Sequence, residues 1–137
     1  MTDIVLNKTE LLEQSVGNTG GLAAGTRIKF VDYPQVIRNV VTYGIIAHYS
    51  TDYSTSSNGN NIVDATEIAA AVLVLAVGGQ ENIRIPIYSL IPSLNGGLIR
   101  ELANLNIDWD NSYILINNSS VFENNDTFAF TIIYKDK

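Results

Sequence analysis

Residues 71–88 constrain the fold of this chain more than any other stretch. They read as an apolar run from Ala71 to Val77, a Gly78-Gly79 pair, and an alternating run closing at Tyr88. Leu73, Leu75 and Val77 alternate with Val72, Val74 and Ala76, and both sets are apolar. A strand on a single core would show one polar face, so both faces here need cover, from a facing sheet and from a loop, helix or subunit. The glycines supply the positive φ that a reversal requires. In the return run Ile83, Ile85 and Ile87 share a face opposite Arg84, Pro86 and Tyr88. Pro86 has no N–H for a ladder, which places it at an edge, a bulge or a strand end. A second reading stays open for 65–77. Asp64-Ala-Thr-Glu67 has capping-box spacing, and the alanines 69–71 suit a helix stopped by Gly78. Against it, the run has no polar stripe, and its β-branched residues favour a strand.

The rest of the chain carries the same short-strand rhythm. Thr26–Val31 reads as a strand, and Asp32-Tyr33-Pro34 as a turn. Val36–Tyr49 is the longest alternating run, with Ile37, Val41, Tyr43, Ile45, Ala47 and Tyr49 on one face. Gly44 within it predicts a bulge or a close backbone approach. Residues 51–61 form a polar loop. Pro92 and Asn95-Gly96-Gly97 mark another reversal. Leu98–Leu105 suits either a short helix on Leu98, Leu102 and Leu105 or an extended segment. Tyr113–Ile116 is a strand, 117–126 an Asn-rich turn region, and Thr127–Tyr134 a closing strand with Phe128, Phe130, Ile132 and Tyr134 on one face. Residues 1–25 read as an N-terminal arm: a short strand at Ile4-Val5-Leu6, one helical turn over Lys8–Gln14, then glycines that break regular structure. A frayed terminus is the plainer alternative. Six or more strands, with turns every ten or so residues and no βαβ rhythm, predict an all-β fold. The expectation is a jelly-roll-like β-sandwich over 26–137, an arm over 1–25, and at most one or two short helices.

Composition narrows the class. A chain of 137 residues is one domain with room for a core. Charged residues are only 16% of it, low for a solvated monomer, which points to a surface partly covered by partners. The net charge of −6 argues against binding to phosphate backbones. Absence of cysteine excludes disulfides, thiolate metal sites and cysteine nucleophiles. No apolar run is long enough for a membrane helix, and the first residues lack a basic and an apolar signal region. The expectation is synthesis in a cytosol. The abundance of Asn, Ser, Thr and Gly between short strands suits a protein that leaves in an exported particle.

Catalytic chemistry finds little purchase. His48 is the single histidine, so any Ser-His-Asp arrangement would need it as base. No nucleophile motif accompanies it, and a partly buried strand histidine is the simpler reading. Asp108 and Asp110 flank Trp109 at strand period, the one close carboxylate pair that a glycosidase could use. With Ser112 they echo a calcium loop, but its glycine and closing glutamate are missing. Asn124-Asn125-Asp126 could add oxygen ligands only if folding brings it near. Arg84 and Arg100 read as ion-pair partners, and Gly96-Gly97 as a turn. Tyr53, among Ser, Thr and Asn, resembles the chemistry of adaptable recognition loops. No catalytic, cofactor-binding or metal-binding residue is assigned, no cofactor is called for, and no enzyme is expected.

Ile83-Arg84-Ile85-Pro86-Ile87-Tyr88-Ser89-Leu90, Asn95-Gly96-Gly97 and Ile107-Asp108-Trp109-Asp110-Asn111-Ser112-Tyr113-Ile114 carry one further signal. Across Ala71–Pro92 and Leu94–Ile116, about a third of the chain, the texture resembles small virion proteins of tailed bacteriophages. The resemblance implies a β-sandwich or jelly-roll subunit of a capsid or its decoration. Its partners would be copies of itself and other virion proteins, with neither nucleic acid nor membrane. It carries over no functional residues. The alternative expectation is a carbohydrate-binding, lectin-like module using the 51–61 loop, with or without calcium.

Overall fold

The computed structural model describes residues 8–17, 23–52, 54–78, 80–94, 96–97, 101–117 and 122–136. The strands are β1 (Lys8–Ser15), β2 (Arg27–Lys29), β3 (Val40–His48), β4 (Ala71–Val77), β5 (Gln80–Pro86), β6 (Glu101–Leu105), β7 (Ile107–Ile116) and β8 (Thr127–Asp136). One short helix, α1 (Ala65–Ala69), precedes β4, and 3-10 turns occupy Gln35–Asn39, Ile87–Leu90 and Pro92–Leu94.

The strands form two four-stranded antiparallel sheets, in the orders β1-β8-β3-β6 and β2-β7-β4-β5. The pairings follow one plan. β1 pairs with β8, β2 with β7, β3 with β6, and β4 with β5, as in one long hairpin whose tip is the β4–β5 turn. Two more pairings, β3 with β8 and β4 with β7, roll that hairpin into a sandwich. This is the jelly-roll expected from the sequence. At the tip Gly78 has φ +65°, a left-handed conformation that a Cβ would strain. Gly79 lies outside the described residues.

Residues 65–77 satisfy both readings in turn. The Asp64 side chain accepts the Glu67 N–H, and Glu67 reaches back to the Asp64 N–H, so the capping box is complete. It holds only five residues in α1, and the β-branched run from Val72 then goes extended as β4. Both faces of β4 are covered within the chain. Leu73 and Leu75 face the core, while Val74 and Ala76 on the other face are 0% and 1% exposed. Tyr113 stands beside Val74 in the register, and Arg27 stacks over its ring at 4.7 Å. No subunit is needed to cover this strand.

Two expectations about regular structure are corrected. The helical turn over Lys8–Gln14 is instead β1, paired along its whole length with β8, Leu12 opposite Phe130. Its Lys, Glu, Leu and Gln residues have good helix propensity, and pairing with β8 overrides it. The segment expected as an arm therefore supplies an edge strand of the sandwich, while 1–7 and 18–22 lie outside the described residues. Val36 to Asn39 are a 3-10 turn after Pro34 rather than the start of β3. The Gly44 bulge is real: the register of β3 slips between Thr42 and Gly44 against both neighbours. The slip shifts the phase, so that Val40, Thr42, Ile45 and Ala47 face inward and Val41, Tyr43, Ile46 and His48 outward. The segment ambiguous at 98–105 contains β6, with 98–100 outside the described residues.

Between the sheets, Phe128, Phe130 and Ile132 of β8 are at most 1% exposed, as their alternation predicts. They face Leu73, Leu75, Ile85 and Ile114 of the other sheet within one core. Phe30, just past β2, sits edge-on to both Trp109 (5.3 Å) and Phe130 (6.1 Å) and locks the sheets together. Among the described residues no helix is long and apolar enough to cross a membrane.

Candidate functional site

The residues singled out for chemistry are placed in separate settings. His48 lies on the outer face of β3, its Nε2 2.7 Å from Thr131 Oγ1 on β8. Burial lowers its pKa, and Asp52 pulls it partly back, so the ring is neutral at pH 7. A neutral imidazole bonded to a threonine on a sheet face is a packing arrangement.

Asp108 and Asp110 do not form a facing pair. β4 advances one residue, Leu75, while β7 advances four between Asp108 and Tyr113. Ser112 fills this wide bulge: Ala76 N–H donates to its Oγ at 3.0 Å, and its hydroxyl donates to the Asp108 carbonyl at 2.8 Å. The Asp108 carboxylate accepts from Asn111 Nδ2. Asp110 turns to a different cluster, where it accepts from the Tyr33 hydroxyl and pairs with Arg38 at 2.7 Å. The Tyr33 hydrogen bond, then Arg38, holds Asp110 below the ordinary carboxylate range. This trio fastens the Gln35–Asn39 turn to β7. Arg84 is exposed, and Arg100 and Tyr53 lie outside the described residues.

Several acidic side chains gather in a cavity of about 380 Å³ at the end of the sandwich. Its walls come from α1, the loop before β8 and the 50–62 loop, and include Asp64, Glu67, Glu123, Asp126 and Asn61. Backbone bonds hold these pieces together. Val63 N–H donates to the Thr127 carbonyl at 3.0 Å, Thr127 N–H to Asn61 at 2.9 Å, and Val16 N–H to Asp126 at 2.8 Å. The loop is itself ordered, since Ser56 and Asn60 bond one another through backbone and hydroxyl, and Ser57 bonds the Glu13 carboxylate of β1. At the floor, Glu67 and Asp126 are only 6% and 4% exposed. One oxygen of each is anchored: Glu67 Oε1 accepts the Asp64 N–H, and Asp126 Oδ2 the Glu123 N–H. No N–H or hydroxyl reaches Glu67 Oε2. Burial first, then the neighbouring Asp126 carboxyl, pushes the Glu67 pKa up to about 8. Among the described residues no three acidic, His or Cys side chains are arranged to hold a metal ion together. The sequence marks Asp64-x-x-Glu67 as a cap and Asp126 as an oxygen donor, but nothing in it joins the two.

The second feature is a surface. On the outer face of the β1-β8-β3-β6 sheet, Leu11, Thr131 and Ile46 stand in one row across three strands, with Ile133, Val41 and Tyr43 beside them. Antiparallel sheets that face water usually alternate to polar on that side; here these apolar residues share the face with Thr9, Glu13, His48 and Lys135, and the Lys135 ammonium stands over the Tyr43 ring at 4.9 Å. Leu11 is 43% exposed. It also lines a groove of about 380 Å³ in which Val31, 57% exposed, and Pro34 stand among polar residues such as Glu13, Ser57 and Asn58. In that groove Asp32 holds φ +53°, a left-handed conformation uncommon outside glycine.

No family model, curated protein or solved structure matches this chain.

Proposed function

We propose that this chain is a non-enzymatic structural subunit of a virion, a capsid or head-associated protein that assembles with copies of itself and with other shell proteins. The contact surface is the outer face of the β1-β8-β3-β6 sheet and the Leu11–Val31 groove beside it. The observation that carries the reading is the exposure of two large apolar side chains at one place, Leu11 (43%) on that face and Val31 (57%) in the groove beside it. Exposed apolar side chains gathered at one place mark an interaction site. The jelly-roll adds support by analogy, since capsid subunits use it, and so do lectins and cupins. Sparse charge and the resemblance of residues 71–116 point the same way. Solution mass by light scattering over a hundredfold concentration range tests the proposal. A defined oligomer or larger assembly is expected, and a monomer at every concentration contradicts self-assembly.

A second reading, a lectin-like module, is favoured by one observation: the polar cavity lies directly against the 51–61 loop. A glycan array probed with and without EDTA tests it, and a blank array removes it.

A further inference from the structure

We propose that the cavity at the end of the sandwich binds one hard divalent cation of the calcium class, seated at the Glu67 and Asp126 carboxyls. The first argument is charge. Four acidic residues line the cavity, Asp64, Glu67, Glu123 and Asp126, and no Lys, Arg or His does. Two of them are more than nine-tenths buried, and a buried carboxylate without a counter-charge is costly. The second argument is the orphaned oxygen. Glu67 Oε2 is buried and no donor of the protein reaches it, while the opposite oxygen of the same group is fixed by the Asp64 N–H. Asp126 is likewise fixed through one oxygen by Glu123. Each carboxyl is thus oriented in advance by its own backbone amide, as ligands of a built site are. The third argument is the supply of neutral oxygens. Ser50, Ser54 and Asn61 line the facing loop, and hard cations complete their shells with such groups and water.

Since only two carboxylates supply charge at close range, binding is expected to be weak, with Kd on the order of 10⁻⁴–10⁻³ M. The site stands on its own residues, and it holds whether or not the chain assembles.

The test is equilibrium dialysis of the full chain against millimolar ⁴⁵CaCl₂ at one fixed pH. Thermal melts in CaCl₂ and in EDTA run beside it. About one calcium per chain and a higher Tm in CaCl₂ are expected. In Glu67→Gln both effects disappear while the fold persists, because the amide is uncharged and its oxygen still accepts from Asp64. Asp126→Asn gives a second, independent loss. No calcium retained by the wild-type chain at millimolar concentration overturns the proposal. So does retention in folded Glu67→Gln equal to that of the wild type.

Discussion

Glu67 does two things at once: it caps α1, and it buries an acid against Asp126. The second has a pH signature. In the unfolded chain its pKa returns to the ordinary value of 4.5, while in the fold it is raised to about 8. Between these values the folded state holds a proton that the unfolded state has lost. Stability from this group is therefore fully present below about 4.5, declines as pH rises, and is gone above about 8. In EDTA-containing buffer, denaturant melts from about pH 5 to about pH 9 are expected to show a loss on the order of a few kcal/mol. In Glu67→Gln that slope flattens, which separates this group from the other carboxylates. Trp109 makes the opposite kind of contribution, through volume. It is 2% exposed and meets Phe30 edge-on, so Trp109→Ala is expected to cost about 3–5 kcal/mol by the same measurement.

Among the elements, β1 and β4 show what local sequence decides and what it does not. The core face of β8 is legible because Phe128, Phe130, Ile132 and Tyr134 alternate without interruption. The Gly44 bulge is legible because a glycine inside an alternating run has few other uses. Capping box and β-branched run are both legible at 64–77, and the chain honours each in turn. β1 is not legible. Lys8-Thr-Glu-Leu-Leu-Glu-Gln-Ser15 has mostly helix-favouring residues, and only its register with a strand at the far end of the chain makes it extended. Glu67 and Asp126 are hidden for the same reason, since α1 and the β7–β8 loop meet only after the hairpin has rolled up. The role of β1 carries a prediction. Deleting residues 1–16 exposes the inner edge of β8 and uncovers Phe128 and Phe130, so circular dichroism is expected to show loss of the cooperative fold. A truncated chain that still melted cooperatively would mean β1 is dispensable.

For the whole molecule, the asymmetry between the two sheets matters most. The outer side of β2-β7-β4-β5 is closed by its own residues, with Val74, Ala76 and Tyr113 at most 2% exposed. The outer side of β1-β8-β3-β6 leaves Leu11, Ile46 and Ile133 in contact with solvent. A protein with one side closed by its own residues and exposed apolar side chains on the other is suited to lie in a layer, with that second side against a neighbour. The central claim is assembly through that side. It is tested most directly by comparing the solution mass of the wild-type chain with that of Leu11→Glu/Val31→Glu at the same high concentration. Both positions are exposed enough to carry a charge without disturbing the core. The account predicts an oligomer for the wild type and a folded monomer for the variant. An assembled variant, or a wild type that is monomeric throughout, would contradict it.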